Sequence, residues 1–222
     1  MLSTLIFCTS YFESERTWKY RYRRWIDYYS RVFPSEYLFL IDDGSPFVPP
    51  DCDVRVNENI EILATGQTAT IYRFSSRLGR SSAFNYPGWF RSFTFSIEIA
   101  KRLSLSKIIH IESDAYILTR RAFDYITNTN TGWTVFWCPR WSFPETALQV
   151  ICSDQFHALE ALQKKSYSAF SNRPVERLLP YTRVEKRVFG NRYGEYRLRV
   201  PSYADFAVQV NERTVFKSEL AE

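Results

Sequence analysis

Hydrophobic and polar positions follow two different periods in the first part of the chain. Residues 3–8 form a short apolar and β-branched run that leads directly into Thr9, which predicts a buried strand. After Ser14, apolar residues recur at helical spacing and predict an amphipathic helix that Ser14 caps and Pro34 ends. The apolar stripe of this helix consists of Trp18, Tyr22, Trp25, Ile26 and Tyr29.

The same two patterns then repeat. Apolar runs predict further buried strands at 36–41, 107–111 and 134–138, with helices at 89–103 and around 121–126. Weaker patterns predict edge strands at 54–56 and 61–63 and a long ordered loop with some helix at 64–88. The alternation of strand and helix predicts an α/β fold with a mainly parallel central sheet flanked by helices.

The rest of the chain is less regular. Its patterns predict a strand at 148–151, a helix at 153–165 capped by Ser153, a short helix at 174–179, and late strands at 193–200 and 206–210. The sequence contains no internal repeat and no flexible linker, so we expect residues 1–222 to form a single domain.

Composition narrows the class of protein. Apolar residues make up 45% of the 222 residues and charged residues 24%, which is typical of a soluble globular chain and excludes a disordered one. No apolar run approaches the roughly 20 residues of a membrane span, and no segment resembles a signal peptide, so we expect a cytoplasmic protein. Four widely spaced cysteines and two histidines argue against a zinc site and predict free thiols in a reducing compartment.

Positive charge is concentrated in the first predicted helix. Residues 16–31 contain six basic residues and one acid, an excess equal to the net charge of +5 of the whole chain. One interpretation is the solvated face of a helix; the other is a surface for peripheral contact with phosphate groups or anionic lipid. The basicity is too local to indicate nucleic-acid binding. The basic residues are Arg16, Lys19, Arg21, Arg23, Arg24 and Arg31.

Acidic residues follow two of the predicted strands directly. Asp42 and Asp43 end one strand, and Glu112 and Asp114 end another. Ligands bind at the carboxyl ends of parallel strands, and carboxylates clustered there require a compensating cation. A divalent cation such as Mn²⁺ or Mg²⁺ fits oxygen ligands and would in turn hold a phosphate. Taken singly, each acid is also explained as a turn or cap residue.

At this point the sequence resembles a family. The run LIDDGS at 40–45 resembles the strand-end DDGS of nucleotide-sugar glycosyltransferases of the GT-A fold. About 70 residues later, IIHIESD at 108–114 resembles their DxD strand end in the variant form Glu-Ser-Asp. The resemblance covers roughly residues 3–140. It implies a nucleotide-sugar-binding half at 1–140 and an acceptor-side half at 141–222.

The resemblance also implies roles for individual residues. Thr9, Tyr11, Asp42 and Asp43 would bind the base and ribose of a nucleoside diphosphate sugar donor, which we expect to be a UDP-sugar. Asp114 would coordinate Mn²⁺ or Mg²⁺ at the diphosphate. Glu112 would contact the ribose or a metal-bound water, or ligate the metal itself, although Glu is one methylene longer than the family's Asp.

Further candidates come from the reaction itself. The leaving diphosphate needs positive charge, and Arg77, Arg80 and Arg91 lie between the two acidic motifs. An inverting reaction also needs a carboxylate that deprotonates the hydroxyl of a glycan or other acceptor. Glu145 and Glu176 are the two candidates for this base, and the sequence does not decide between them.

Two other functions compete with glycosyl transfer. A nucleotidyltransferase would share the α/β core, but it favours a Gly-rich loop near the amino terminus, and residues 8–16 contain no glycine. A non-catalytic module that binds sugar or nucleic acid would use the basic helix and the aromatic residues, but it would leave the strand-end acids without a role.

Overall fold

The computed structural model of the chain describes residues 4–34, 36–50, 54–62, 69–82, 84–170 and 173–220. Eleven strands are found in these residues, and most of them belong to one central sheet. The strands are β1 (Thr4–Ser10), β2 (Tyr37–Asp42), β3 (Arg55–Asn57), β4 (Thr70–Arg73), β5 (Lys107–Ile111), β6 (Tyr116–Ile117), β7 (Trp133–Cys138), β8 (Phe143–Cys152), β9 (Arg183–Glu185), β10 (Gly190–Asn191) and β11 (Phe206–Ala207).

The central sheet has eight strands in the order β3-β4-β2-β1-β5-β8-β7-β9. The first five strands of this order run parallel, while β8 pairs antiparallel with both β5 and β7. The carboxyl ends of β1, β2, β4 and β5 therefore meet at one edge of the sheet. A small second sheet has the order β10-β11-β6. The predicted α/β fold with a mainly parallel central sheet is confirmed.

Helices cover both faces of the sheet. The N-terminal helix consists of three consecutive segments: α1 (Glu15–Thr17), a π-helical segment (Trp18–Arg23) and α2 (Arg24–Val32). The Ser14 side chain accepts a hydrogen bond from the Thr17 N–H, so this residue caps the helix as predicted. The remaining α-helices are α3 (Pro87–Arg102), α4 (Arg120–Asn128) and α5 (Phe156–Gln163).

The hydrophobic core is divided by the central sheet. The N-terminal helix packs its apolar stripe, including fully buried Trp25 and Tyr29, against one face. Helix α3 packs Phe90, Phe93 and Ile97 against the other. Because both faces are covered, the central strands are buried on both sides, which explains their continuous apolar runs.

Several elements differ from the sequence-based predictions. Residues 61–63 do not form the predicted strand. A 3-10 turn, Ile60–Ile62, lies there instead, and its Glu61 carbonyl oxygen accepts a hydrogen bond from Arg102; Leu63 lies outside the described residues. The segment predicted as a loop at 64–88 contains strand β4, which is buried between β2 and β3. In the part of that segment that the structure describes, the strand is only four residues long, which is too short to show a clear alternation of apolar and polar residues.

The second half of the chain also contains corrections. The predicted strand at 193–200 is wrong: Tyr193–Glu195 is a 3-10 turn, and a single bridge joins Arg199 to Val215. The strand expected at 148–151 is longer, and the one expected at 206–210 is shorter. Ser153 does not cap the helix after β8, because residues Ser153–Gln155 form a 3-10 turn before α5 begins.

Cys8, Cys138 and Cys152 are buried free thiols, as predicted, and Cys52 lies outside the described residues.

Among the helices in the described ranges, none combines the length and the apolar character needed to cross a bilayer.

Candidate active site

An open cavity of about 1020 Å³ lies at the carboxyl edge of the parallel strands. Thr9, Asp43, Glu112 and Asp114 line it from the ends of β1, β2 and β5. The opposite side comes from the second half of the chain, where Glu145, Glu176 and Arg192 contribute. The structure therefore brings residues from both predicted halves to one cavity.

The two adjacent aspartates after β2 have different surroundings. Asp42 is completely buried, and its carboxylate accepts hydrogen bonds from the Ser10 hydroxyl (3.0 Å) and from the Ser45 N–H (2.7 Å) and hydroxyl (2.5 Å). Burial raises the pKa of Asp42, although these hydrogen bonds and Arg73 partly offset that effect. Asp42 does not line the cavity. Its contacts are those of a residue that holds the turn.

We expect substitution of Asp42 to affect stability. The Asp42→Ala variant should lose about 1–3 kcal/mol of unfolding free energy, because the serine donors and Arg73 would remain buried without their acceptor. The Asp43→Ala variant should also lose stability, because it removes the acceptor of the Leu78 and Gly79 N–H groups and of Arg91, and it should in addition weaken nucleotide binding by about 1–3 kcal/mol. Chemical denaturation and nucleotide titration of both variants check this contrast. Equal losses of stability with unchanged nucleotide affinity would reduce both residues to turn formers.

Asp43 faces the cavity from a tightly packed position. Its carboxylate accepts hydrogen bonds from the backbone N–H groups of Leu78 (3.3 Å) and Gly79 (2.8 Å) and from the Arg91 guanidinium. A Cβ atom on Gly88 would lie 2.1 Å from Asp43 Oδ2, so only glycine permits helix α3 to begin this close to the carboxylate. The loop before α3 and the end of β2 are thus joined through one side chain.

Glu112 is held by several partners at the end of β5. The Thr9 hydroxyl lies 3.1 Å from both carboxylate oxygens, the Trp89 indole N–H donates to Oε1, and His110 Nε2 lies 3.1 Å from Oε1. Burial alone would raise the pKa of Glu112, but His110, Trp89 and Arg21 outweigh it and lower the pKa. His110 is fully buried beside Oε1, so it helps to position this carboxylate.

Asp114 pairs with an arginine that the sequence did not single out. Arg21 projects from the π-helical segment into the cavity and donates to the Ser113 hydroxyl (2.5 Å) and to Asp114 Oδ2 (3.0 Å). Burial raises the pKa of Asp114 to about 6; Arg21 opposes this shift, while Glu112 and Glu145 add to it. A carboxylate with a raised pKa beside other carboxylates is one that an additional cation would stabilise.

The three predicted arginines differ in position. Arg77 lines the cavity, and its guanidinium lies 3.7 Å from the ring centroid of Tyr11. Arg80 also lines the cavity. Arg91 does not, because its guanidinium binds Asp43 and the Ser76 carbonyl oxygen and stacks over Phe74. The structure brings Arg77 and Arg80 to the site and assigns Arg91 to the support of Asp43.

Glu145 and Glu176 share one arginine on the opposite wall. Arg192 Nε donates to Glu145 Oε2 (2.7 Å), and Arg192 Nη2 donates to Glu176 Oε1 (3.1 Å). The other oxygen of Glu145 accepts the Ala147 N–H (2.9 Å), and the residue is 2% exposed. Glu176 keeps 16% of its side chain exposed. Burial and, to a lesser degree, Glu145 raise the pKa of Glu176, with Arg192 partly opposing them.

Of the strand-end acids, Asp114 is the one best placed to bind a divalent cation. Both oxygens of Glu112 already accept hydrogen bonds, Oε1 from Trp89 and both from the single Thr9 hydroxyl, so Glu112 is the less available of the two candidate ligands. Asp114 has only Oδ2 paired, with Arg21, and fits as a single carboxylate ligand. Among the residues described, no group of three His, Cys, Asp or Glu side chains is placed to hold a metal ion. Mg²⁺ and Mn²⁺ commonly take one carboxylate, with substrate phosphates and water as the other ligands.

Sequence reasoning missed Arg21, Trp89 and Arg192. The sequence groups Arg21 with the basic residues of 16–31, which form either a solvated helix face or a surface for phosphate. Its place beside Tyr22, at the edge of the apolar stripe, is a usable signal that it lies closer to the core. Trp89 was counted only as part of helix α3. Nothing in the sequence brings Arg192 to Glu145, because that contact depends on the path of the irregular C-terminal half.

Comparison with known proteins identifies a shared fold. No protein-family model and no curated protein sequence matches the chain. Among solved structures, the chain is similar to a glycosyltransferase involved in the glycosylation of the major capsid of PBCV-1. The TM-score is 0.51 at 13% sequence identity, and the match covers 95% of each chain. At this identity the likeness establishes a common α/β architecture over nearly the whole length of both proteins.

Proposed function

We propose that the protein is a metal-dependent glycosyltransferase of the GT-A type, which moves a sugar from a nucleoside diphosphate sugar to an acceptor hydroxyl. The observation that carries the proposal is the meeting of Asp43, Glu112 and Asp114 with Arg77 and Arg80 in one cavity at the carboxyl ends of parallel strands. The fold shared with a glycosyltransferase supports it independently. A UDP-sugar is the first donor to test.

The donor half of the cavity has the chemistry that a nucleotide requires. The Tyr11 ring and the Arg77 guanidinium form a stacked pair that suits a base or ribose, and Asp43 offers an acceptor for hydroxyl or N–H groups. Arg21, Arg77 and Arg80 supply positive charge for the diphosphate. A divalent cation held by Asp114 would stabilise the negative charge that develops on the leaving diphosphate. Glu112, fixed by Thr9 and Trp89, would place a second carboxylate near this cation.

Glu176 is the better of the two candidates for the base. Both oxygens of Glu145 are occupied, and the residue is almost completely buried, so it suits the positioning of Arg192. Glu176 is more exposed and has a raised pKa. A carboxylate whose pKa lies closer to neutral accepts a proton more readily than an ordinary one. In this arrangement Arg192 holds Glu176 beside the bound acceptor, and Glu176 Oε2 takes the proton of the attacking hydroxyl.

Thermal unfolding separates the competing functions. With Mn²⁺ and UDP together, we expect a rise in Tm larger than the sum of the separate effects, because the ion and the diphosphate complete each other's ligand set. A rise with a nucleoside triphosphate and Mg²⁺ but not with a diphosphate would favour a nucleotidyltransferase. An unchanged Tm with every nucleotide and metal, together with a rise in Tm with glycan alone, would favour a non-catalytic binding module.

A further inference from the structure

A second concave surface lies along the N-terminal helix, outside the active-site cavity. Its volume is about 770 Å³, and one face of the helix lines it with Lys19, Arg23, Arg24 and Arg31. Lys217, from the C-terminal segment, lies across from these residues. We call this surface the basic groove. Asp27 is its one acidic lining residue.

The charges in the basic groove are not balanced internally. Asp27 pairs with Arg23 (2.8 Å), so the negative charge in the groove is already used. Lys19 and Lys217 are both exposed, and neither makes an ion pair or hydrogen bond through its ammonium group with any part of the chain that the structure describes. Five cations thus face one carboxylate, and two of the five are without a protein partner. Such a surface attracts anionic groups.

The floor of the basic groove is rigid and aromatic. The Arg24 guanidinium lies 5.3 Å from the ring centroid of Tyr116 and 5.2 Å from that of Phe216. The Tyr28 hydroxyl donates to the Ile117 carbonyl oxygen and is buried. These contacts fix the helix against the small sheet, so the cations of the helix project from one face of a fixed backbone.

The length of this row of cations indicates an extended anionic partner. Lys19 and Arg31 are twelve residues apart on the helix, which corresponds to roughly 18 Å along its axis. One phosphate group occupies only a fraction of that distance, whereas several headgroups at a membrane surface match it. Tyr20 is 51% exposed beside Lys19, and an exposed tyrosine suits the boundary between headgroups and acyl chains.

We propose that the basic groove docks this protein on membrane surfaces that contain anionic phospholipid. Headgroup phosphates bind the row of cations, and the Tyr20 ring lies in the interfacial region. The apolar face of the helix is buried in the protein core, so the helix does not insert and the contact is electrostatic and reversible. Single-stranded nucleic acid fits less well, because Tyr20 is the one half-exposed ring among the lining residues, whereas the Tyr28 and Tyr116 rings are buried and cannot stack on successive bases.

The basic groove and the active-site cavity share the π-helical segment. Arg21 and Tyr22 line the cavity, whereas Lys19, Tyr20 and Arg23 line the basic groove. A protein docked through the basic groove therefore holds its cavity close to the bilayer. The docking proposal rests on the groove alone and stands whether or not the cavity transfers sugar.

Vesicle sedimentation tests this proposal. The protein should bind vesicles in which about one lipid in three is phosphatidylserine and should not bind pure phosphatidylcholine vesicles. Binding should disappear near 1 M salt, where the Debye length is about 3 Å. Absence of binding to the anionic vesicles at low salt would overturn the proposal. Tighter binding to a single-stranded oligonucleotide at the same phosphate concentration would also overturn it.

A matched pair of double variants separates the basic groove from overall charge. The Lys19→Gln/Lys217→Gln variant should bind the anionic vesicles about 25-fold more weakly, at about fivefold for each cation removed. The control variant, Lys164→Gln/Lys165→Gln, removes the same charge from exposed positions after α5 and should bind within about twofold of the wild type. Equal weakening in both double variants would contradict a specific role for the groove.

Discussion

The Glu176→Gln variant should transfer sugar about 10²–10⁴-fold more slowly than the wild type in a single turnover with saturating donor. The amide retains the shape of the side chain and can still accept the Arg192 hydrogen bond, but it cannot take a proton from the acceptor hydroxyl. Donor affinity should be unchanged, because the donor half of the cavity is formed by the ends of β1, β2 and β5.

The acidic limb of the pH profile provides a second readout. Since the pKa of Glu176 is raised, transfer should decline, as the pH falls, at a higher pH than an ordinary glutamate would give. The Glu145→Gln variant is the natural comparison, because it disturbs the same arginine from a buried position. Near-normal transfer by the Glu176→Gln variant would remove this residue from the reaction. Near-normal transfer by both variants would favour a retaining mechanism, which needs no such base.

The Asp114→Asn variant should lose metal-dependent nucleotide binding, by about 10²-fold or more, while the fold remains intact. The amide removes the negative charge that a hard cation requires and leaves the shape of the side chain. In the wild type, binding of Mn²⁺ together with nucleotide should also weaken as the pH falls through about 6, because the carboxyl group becomes protonated. Calorimetric titration of nucleotide with and without Mn²⁺ measures both effects.

The same Asp114→Asn variant should be more stable than the wild type at neutral pH. The native pKa of about 6 is higher than that of the unfolded chain, so the native state favours the protonated carboxyl group. The contribution of Asp114 to stability is therefore greatest below about pH 4 and is lost as the pH rises through about 6. The charged carboxylate of Asp114 therefore destabilises the native state at neutral pH, and removing its charge should add up to about 3 kcal/mol to the unfolding free energy at pH 7. If the variant is less stable and still binds Mn²⁺ with nucleotide, Asp114 is neither a metal ligand nor a carboxylate that destabilises the native state at neutral pH.

There is a physical reason why the sequence predicts which acidic residues lie at the carboxyl edge of the sheet. Parallel strands that are buried on both faces have continuous apolar runs, and the first polar residues after such runs lie at the edge of the sheet. Asp43, Glu112 and Asp114 could therefore be brought together from local patterns alone. Local patterns could not distinguish Asp42 from Asp43, since that difference depends on Ser10, Ser45 and Gly88 packing around the turn.

The opposite wall of the cavity was harder to predict because it depends on contacts distant in sequence. Arg192 reaches Glu145 and Glu176 from a short irregular segment that has neither helical nor strand periodicity. Strand β4 was missed because its four buried residues lie within a polar segment. The π-helical segment also gave no signal of its own, although it directs Arg21 to Asp114.

A crystal structure of the protein soaked with Mn²⁺ and a nucleoside diphosphate would test the central claim most directly. Anomalous scattering from manganese should give one peak, bonded to Asp114 and to the diphosphate, with the nucleoside beside Tyr11 and Arg77. Glu112 should remain bound to Thr9 and Trp89 and should not ligate the metal. A nucleotide bound outside the cavity, or a manganese peak that does not touch Asp114, would contradict the account.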